Sequence, residues 1–341
     1  MLMRTDMTGN GLAIERLKPS DLSGGDIELW HELMLSHPAF CNAFLSPEFA
    51  IACEHVYRSV EVAVIHRGGT VCGFFPYQFV SSQKKILRLA ERIGENMSDC
   101  AGIVADPQAG LNASDIFSLS GLNLIFLTHV YSSDPLLGPL ASNLEDLHVI
   151  DLTTGKNAYL ETLRKRKSFY QDTQRCRRKL SSEIGAVKFG YDSTPPLDAV
   201  QHVLDRKQAQ YRASGAVAVF DRFERRALIA ALNEVHSPYC AISVATLKAG
   251  DRDCAWHFGL ICQGVMHYWF PVYEKSLGKY SPDAGSGSGR GSRRPRHHYH
   301  RPRRRRCTME TEPGKCDTED RQGLLAQAIG PVPACASPCR P

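Results

Sequence analysis

The sequence predicts a mixed α/β layer protein, a mixed sheet flanked by helices, followed by a C-terminal segment that stands outside the fold. Three observations predict it. The first half sets two stretches of helical spacing beside a strand-turn-strand unit; the second half runs helices first and a three-strand meander afterward; and from Asp283 onward hydrophobic periodicity stops.

Around Asp26 to Leu35, the residues Ile27, Trp30, Leu33 and Met34 recur at helical spacing and define one apolar face suited to a sheet. A second helix is expected from Ser46 through His55. The run from Val60 to Ile65 then alternates, Arg67-Gly-Gly-Thr turns, and Val71 to Gln78 returns as a partner strand. A stretch of small and polar residues follows, from Arg92 to Val104. Beyond it, Leu122 to Leu127 and Leu147 to Leu152 read as short strands.

The second half opens on a single charged helix, from about Asn157 to Glu183, with Tyr159, Leu160, Leu163, Phe169 and Tyr170 as its apolar contacts. Helices from about Pro196 to Ser214 and from about Asp221 to Val235 come next. Strands are then expected at Ile242 to Leu247, Cys254 to Cys262 and Val265 to Tyr273, the last two joined at Gln263-Gly264.

The formal charge of +5 over 341 residues is a property of one end. Residues 282 to 341 hold twelve Lys and Arg against six Asp and Glu, so the body is about neutral and carries no field for nucleic acid or membrane. The first residues lack the apolar core of a secretory signal, and no apolar run approaches a membrane span, so a cytoplasmic protein is expected. Eight of the twelve cysteines are scattered through the body with no C-x-x-C pair, as expected for reduced, buried small hydrophobes.

Several fragments share an order that is informative: Asn42-Ala-Phe-Leu-Ser-Pro-Glu-Phe, Gly73-Phe-Phe-Pro, Gly94-Glu-Asn-Met-Ser-Asp-Cys-Ala-Gly-Ile, Ala255-Trp-His-Phe-Gly-Leu, Tyr268-Trp-Phe-Pro-Val-Tyr and Lys279-Tyr-Ser-Pro. Over roughly residues 25 to 281 the chain resembles the GNAT acyltransferase superfamily, specifically the CelD-like (BioF2-like) branch found with bacterial polysaccharide genes. The resemblance implies two GNAT-like lobes: a degenerate one over 1–150 and an acyltransferase lobe over 151–281, truncated, with 282–341 a non-native, disordered basic tail. It implies acyl-CoA as co-substrate, with its pyrophosphate at the N-terminus of the helix after the meander, where unpaired N–H groups and the dipole favour phosphate. Tyr280-Ser281-Pro282 occupies the turn into that helix. The helix itself is absent from the sequence.

Its absence suggests a lost reading frame near Pro282. Read one base forward with CGN arginine codons, His297-His-Tyr-His-Arg forces four successive positions to be Ile or Thr, and Met309-Glu-Thr forces Trp followed by Lys or Arg. The permitted string is similar to the family's closing strand and loop. Residues 284 to 294 likewise permit alternating Leu, Val and Ala, a stand-in for the missing helix. In the present frame His297 to His300 could bind zinc or nickel, and Arg301 to Arg306 could hold RNA by phosphate charge, but neither has an ordered scaffold around it. Cys335 and Cys339 lack partner ligands, and no metal site is expected.

The function implied is an acyl-CoA-dependent N- or O-acyltransferase, such as an acetyltransferase, acting on a sugar or polysaccharide precursor. Attack is direct, with the oxyanion held by a strand amide near Phe270 or Val272. His257 is the candidate base, since imidazole is poised near neutral pH, although a satisfied core histidine fits its mid-strand position equally well. Tyr280 is a candidate for protonating the departing thiolate or for packing beside the cofactor, and Phe270, Val272, Tyr280 and Ser281 would bind it. Arg164 and Arg166 could grip an anionic or nucleotide-linked substrate or be a solvated helix face. Expected partners are a small-molecule or saccharide acceptor, with no specific nucleic acid. Two other functions remain open: an aminoacyl-tRNA-dependent FemAB-like transferase, in which the basic helix grips tRNA, and nucleic-acid binding through the tail.

Overall fold

The computed structural model describes residues 11–280, and within them the α/β class stands, with two sheets flanked by helices. The break at Pro282, residue Ser281 and the whole tail lie outside the described residues.

The chain begins with β1 (Leu12–Leu17), α1 (Gly24–Ser36) and α2 (Pro47–Val56), then β2 (Val60–Arg67) and β3 (Thr70–Gln78). It continues through α3 (Ser82–Ile86), β4 (Leu89–Glu91), β5 (Val104–Ala105), α4 (Ala113–Leu119) and β6 (Leu124–Phe126). These strands form one sheet of order β1-β2-β3-β4-β6, with β5 on β3. Pairing is antiparallel except between β4 and β6, which run parallel.

Local chemistry explains the element ends. Ser23 and Asp26 form a reciprocal capping box at the start of α1, and the Ser46 hydroxyl accepts from Phe49 N–H at the start of α2, with Pro47 in the first turn. The β2–β3 turn uses Gly68 and Gly69 at φ of 59° and 85°, values at which a Cβ is strained. Gly73 serves a different end. A Cβ there would lie 2.6 Å from the Ala105 Cβ, so its absence lets β5 approach β3. The expected face of α1 is realised, with Trp30, Leu33 and Met34 buried. Trp30 stacks on Phe74 at 4.7 Å, and its Nε1–H donates to the Leu45 carbonyl at 2.9 Å.

The second half differs from expectation in three places. The single charged helix is two, α5 (Lys156–Lys165) and α6 (Lys167–Glu183), broken where Arg166 leaves helical geometry at φ −87°, ψ 65°. The run Leu147 to Leu152 is not a strand: it pairs with no other strand among the described residues, and Leu147, Val149, Ile150 and Leu152 are exposed. Its alternation had nothing to pair with. Conversely, β7 (Val187–Asp192) follows α6 unannounced, with only Val187, Phe189 and Tyr191 half-buried. The chain then forms α7 (Leu197–Ser214), α8 (Phe223–Asn233), β8 (His236–Ser237), β9 (Cys240–Ala249), β10 (Arg252–Cys262) and β11 (Val265–Tyr273). The second sheet has the order β11-β10-β9-β7, with β8 on β9.

The described residues divide into two compact units, one of residues 11–147, 192–244 and 258–270, the other of residues 148–191, 245–257 and 271–280. In the first, Phe44 meets Phe49, His267 and Trp269 edge-on at 5.1, 4.8 and 5.2 Å. Phe258 stacks on Trp269, and Phe220 meets Phe270 at 4.9 Å. In the second, Leu180, Ala249, Cys254, Leu277 and Tyr280 make the core. There Gly185 passes the Gly250 backbone so closely that a Cβ would lie 2.8 Å from its Cα.

Two predictions follow from the first unit. Phe44 is fully buried, and Phe44→Ala should lower the unfolding free energy by about 3–5 kcal/mol, read by urea denaturation. Cys41, half-buried, lies 3.9 Å Sγ to Sγ from Cys262, whose S–H favours a Cys41 thiolate and holds its pKa below the ordinary thiol range. Burial instead pushes the Cys53, Cys72, Cys100, Cys240 and Cys254 thiols up. Iodoacetamide labelling followed by peptide mass spectrometry should therefore find Cys41 modified well before these five.

Candidate active site

The site is built on β11. Gln263 and Gly264, at φ of 47° and 83°, make the two-residue turn that joins β10 to β11 and sets Cys262 opposite Val265. Continued without interruption, that register would bring Tyr273 opposite Cys254. The Cys254 carbonyl instead accepts from the Glu274 N–H at 2.9 Å, one residue further on. One extra residue is therefore accommodated in β11 between the turn and Glu274, a bulge-type slip.

Pro271 lies in this slipped span. It brings no N–H, and proline is tolerated in sheets at edges and bulges. β11 is the terminal strand in the order of its sheet among the described residues. An edge strand presents alternate amides away from its ladder, and the amides of Phe270 and Val272 flank the proline. Both side chains are buried, at 7% and 3% exposure, which fixes the backbone between them. Fixed amides off the ladder are the type of donor that suits an acyl carbonyl.

Tyr280 is the last described residue, buried in the Leu180–Leu277 core by its ring. Its hydroxyl donates to Glu183 Oε2 at 2.9 Å, and Lys279 Nζ donates to the same oxygen at 2.9 Å. Lys279 also sits 4.8 Å from the Tyr280 ring centroid, while Lys179 lies 3.9 Å from Glu183 Oε1. The Lys279 hydrogen bond, followed by that from Tyr280, holds the Glu183 carboxyl below the usual carboxylate range.

The other predicted residues are not gathered into that core. His257 is on β10 with no exposed surface, beside buried Trp256. Arg164 lies in the last turn of α5 and Arg166 at the break after it, both exposed. Ser281 lies outside the described residues. The sequence reading missed Glu183, which ends the basic helix it described. It also missed the hydrogen bond between His267 Nε2 and Asp99 Oδ2, at 3.0 Å, although both residues stand in stretches it singled out.

Glu183 can be tested directly. A carboxyl whose folded pKa is depressed contributes its stabilisation above the ordinary carboxylate range, and the contribution is lost as pH falls through the lowered folded value. Amide exchange of residues 275 to 280 should thus stay slow to below that range in the unmodified chain. In Glu183→Gln it should be faster at neutral pH and should lose this acid transition.

A sequence model of the family described as acetyltransferase (GNAT) domain matches residues 167–284, from α6 to just beyond β11. No curated protein matches the chain. The fragments upstream of residue 167 that share the resemblance fall outside the match. Domains of this family use acyl-CoA. Among the described residues, no group of three or more His, Cys, Asp or Glu side chains could hold a metal ion, and no helix is long and apolar enough to cross a membrane.

Proposed function

We propose that this chain derives from an acyl-CoA-dependent N- or O-acyltransferase of the CelD-like branch, acting on a sugar or sugar precursor of an exported polysaccharide. The family match over residues 167–284 carries the reading, because it takes in β11, the strand that bears Phe270 and Val272. Acyl-CoA supplies an activated thioester. The chain's own contribution is positional. The Phe270 and Val272 amides donate to the acyl carbonyl oxygen, where developing negative charge strengthens the hydrogen bonds. Glu183 and Lys279 hold Tyr280 in place ahead of the segment that would meet the diphosphate. Exposed Arg164 and Arg166 suit an anionic or nucleotide-linked acceptor.

On this reading residues 1–150 and 151–281 are two lobes, the first a degenerate copy, and the frame is lost near Pro282. The end of the family match at residue 284, two residues past that point, supports the loss. Restoring the frame after Pro282 supplies the phosphate-binding helix and the closing strand. By calorimetry, acetyl-CoA should bind the frame-restored chain at least about tenfold more tightly than the present one, a difference of about 1.4 kcal/mol. No measurable binding by the frame-restored chain would sink the acyltransferase reading. Coding sense only in the present frame, in the nucleotide sequence around codon 283, would refute the shift.

A further inference from the structure

His267 is half-buried on β11, with 23% of its side chain exposed, and its Nε2 lies 3.0 Å from Asp99 Oδ2. An ionised carboxylate only accepts hydrogen bonds, so Nε2 carries a proton, and in the neutral imidazole Nδ1 keeps the lone pair. Phe44, edge-on at 4.8 Å, fixes the ring plane. An imidazole oriented by a carboxylate, with its other nitrogen able to take a proton, is the arrangement general-base chemistry requires. His257, by contrast, is fully buried.

The surroundings are polar and belong to the same unit. His129, exposed, bonds Arg92 Nη1 at 3.1 Å through Nδ1 and feels the charges of Asp99, His267 and Glu145. Tyr211 on α7, half-buried, feels Asp99. Asp99 is hydrogen-bonded to His267, and the bonded pair of Arg92 and His129 and the phenol of Tyr211 interact electrostatically with this dyad. That set suits a hydroxyl-rich or amine-bearing acceptor, which offers both donors and acceptors. His267 is three residues before Phe270 on β11, about 10 Å by strand rise.

We infer that His267, oriented by Asp99, is the general base that receives the acceptor's proton, and that the patch around it binds the acceptor. The inference rests on the acyltransferase reading above. His267 Nδ1 takes the proton lost by the acceptor's N–H or O–H as that nitrogen or oxygen bonds to the acyl carbon. The C–S bond breaks, and the imidazolium returns the proton to the departing sulfur, so atoms and charge balance. His267 is the catalytic residue and Asp99 a positioning residue.

The test uses the full chain with a short thioester, S-acetyl-N-acetylcysteamine, which has no diphosphate to anchor, and glucosamine as the amine. The chain should speed thioester consumption above buffer. His267→Ala should lose about 100-fold or more of that acceleration, and added imidazole should restore part of it. Asp99→Asn should lose less. His267→Gln serves as the second variant should His267→Ala fail to fold. Long-range proton–nitrogen spectra of the His267 ring give a readout apart from activity: the Nε2–H tautomer in the unmodified chain, with its proton held downfield by the carboxylate and moved upfield in Asp99→Asn. Unchanged activity in the His267 variants, failure of imidazole rescue, no acceleration by the unmodified chain, or an Nδ1–H tautomer would each overturn the dyad. Acetyl-CoA binding by the frame-restored chain separates such a failure from failure of the acyltransferase reading.

Discussion

The edge-on contacts of Phe44 are the constraint on which the placement of β11 depends. An aromatic edge is electropositive and a face electronegative, so edge-on pairs have a preferred angle as well as a preferred distance. Phe44 makes three such contacts at once, to Phe49, His267 and Trp269, at interplanar angles near perpendicular. A Leu in its place would fill volume without fixing the imidazole plane. The residue is itself held: the Asn42 side chain accepts from Phe44 N–H, and Ser46 caps the helix that follows. Local capping at 42–46 is thereby converted into the orientation of a ring on β11.

The same strand combines rigidity with irregularity. Trp269, Phe270 and Val272 are buried, so the backbone through this stretch cannot drift. Within it, Pro271 removes one donor and the register slips by one residue before Glu274. An edge strand spends only every other amide on its single neighbour, and outward amides on a firmly held backbone are what recognition of a carbonyl demands. Tertiary packing and local irregularity thus act on the same strand.

Charge is arranged differently in the two units. In the second, Glu183 draws Lys279, Lys179 and the Tyr280 hydroxyl to one exposed carboxylate. Exposed ion pairs contribute little stability singly, but several on one carboxylate restrict the segment that bears them. In the first, Asp99 is half-buried and bonded to His267, where lower solvent screening makes the same charge more effective.

The sequence by itself determined whatever rests on neighbours in the chain: the apolar face of α1, the Ser46 cap, the Gly-Gly and Gln263-Gly264 turns and the meander they connect. It also marked the composition break at Pro282. Periodicity and turn chemistry act over a few residues, so they can be read without knowing what lies across the fold. Only the tertiary structure decided the rest. β1 has three successive buried residues in place of an alternation, β7 is half-buried, and Leu147 to Leu152 alternates yet pairs with no other strand among the described residues. Asp99 and His267 are 168 residues apart and meet through packing around Phe44. No spacing rule reaches that far, because the free energy that joins them comes from burial of side chains distant in the chain.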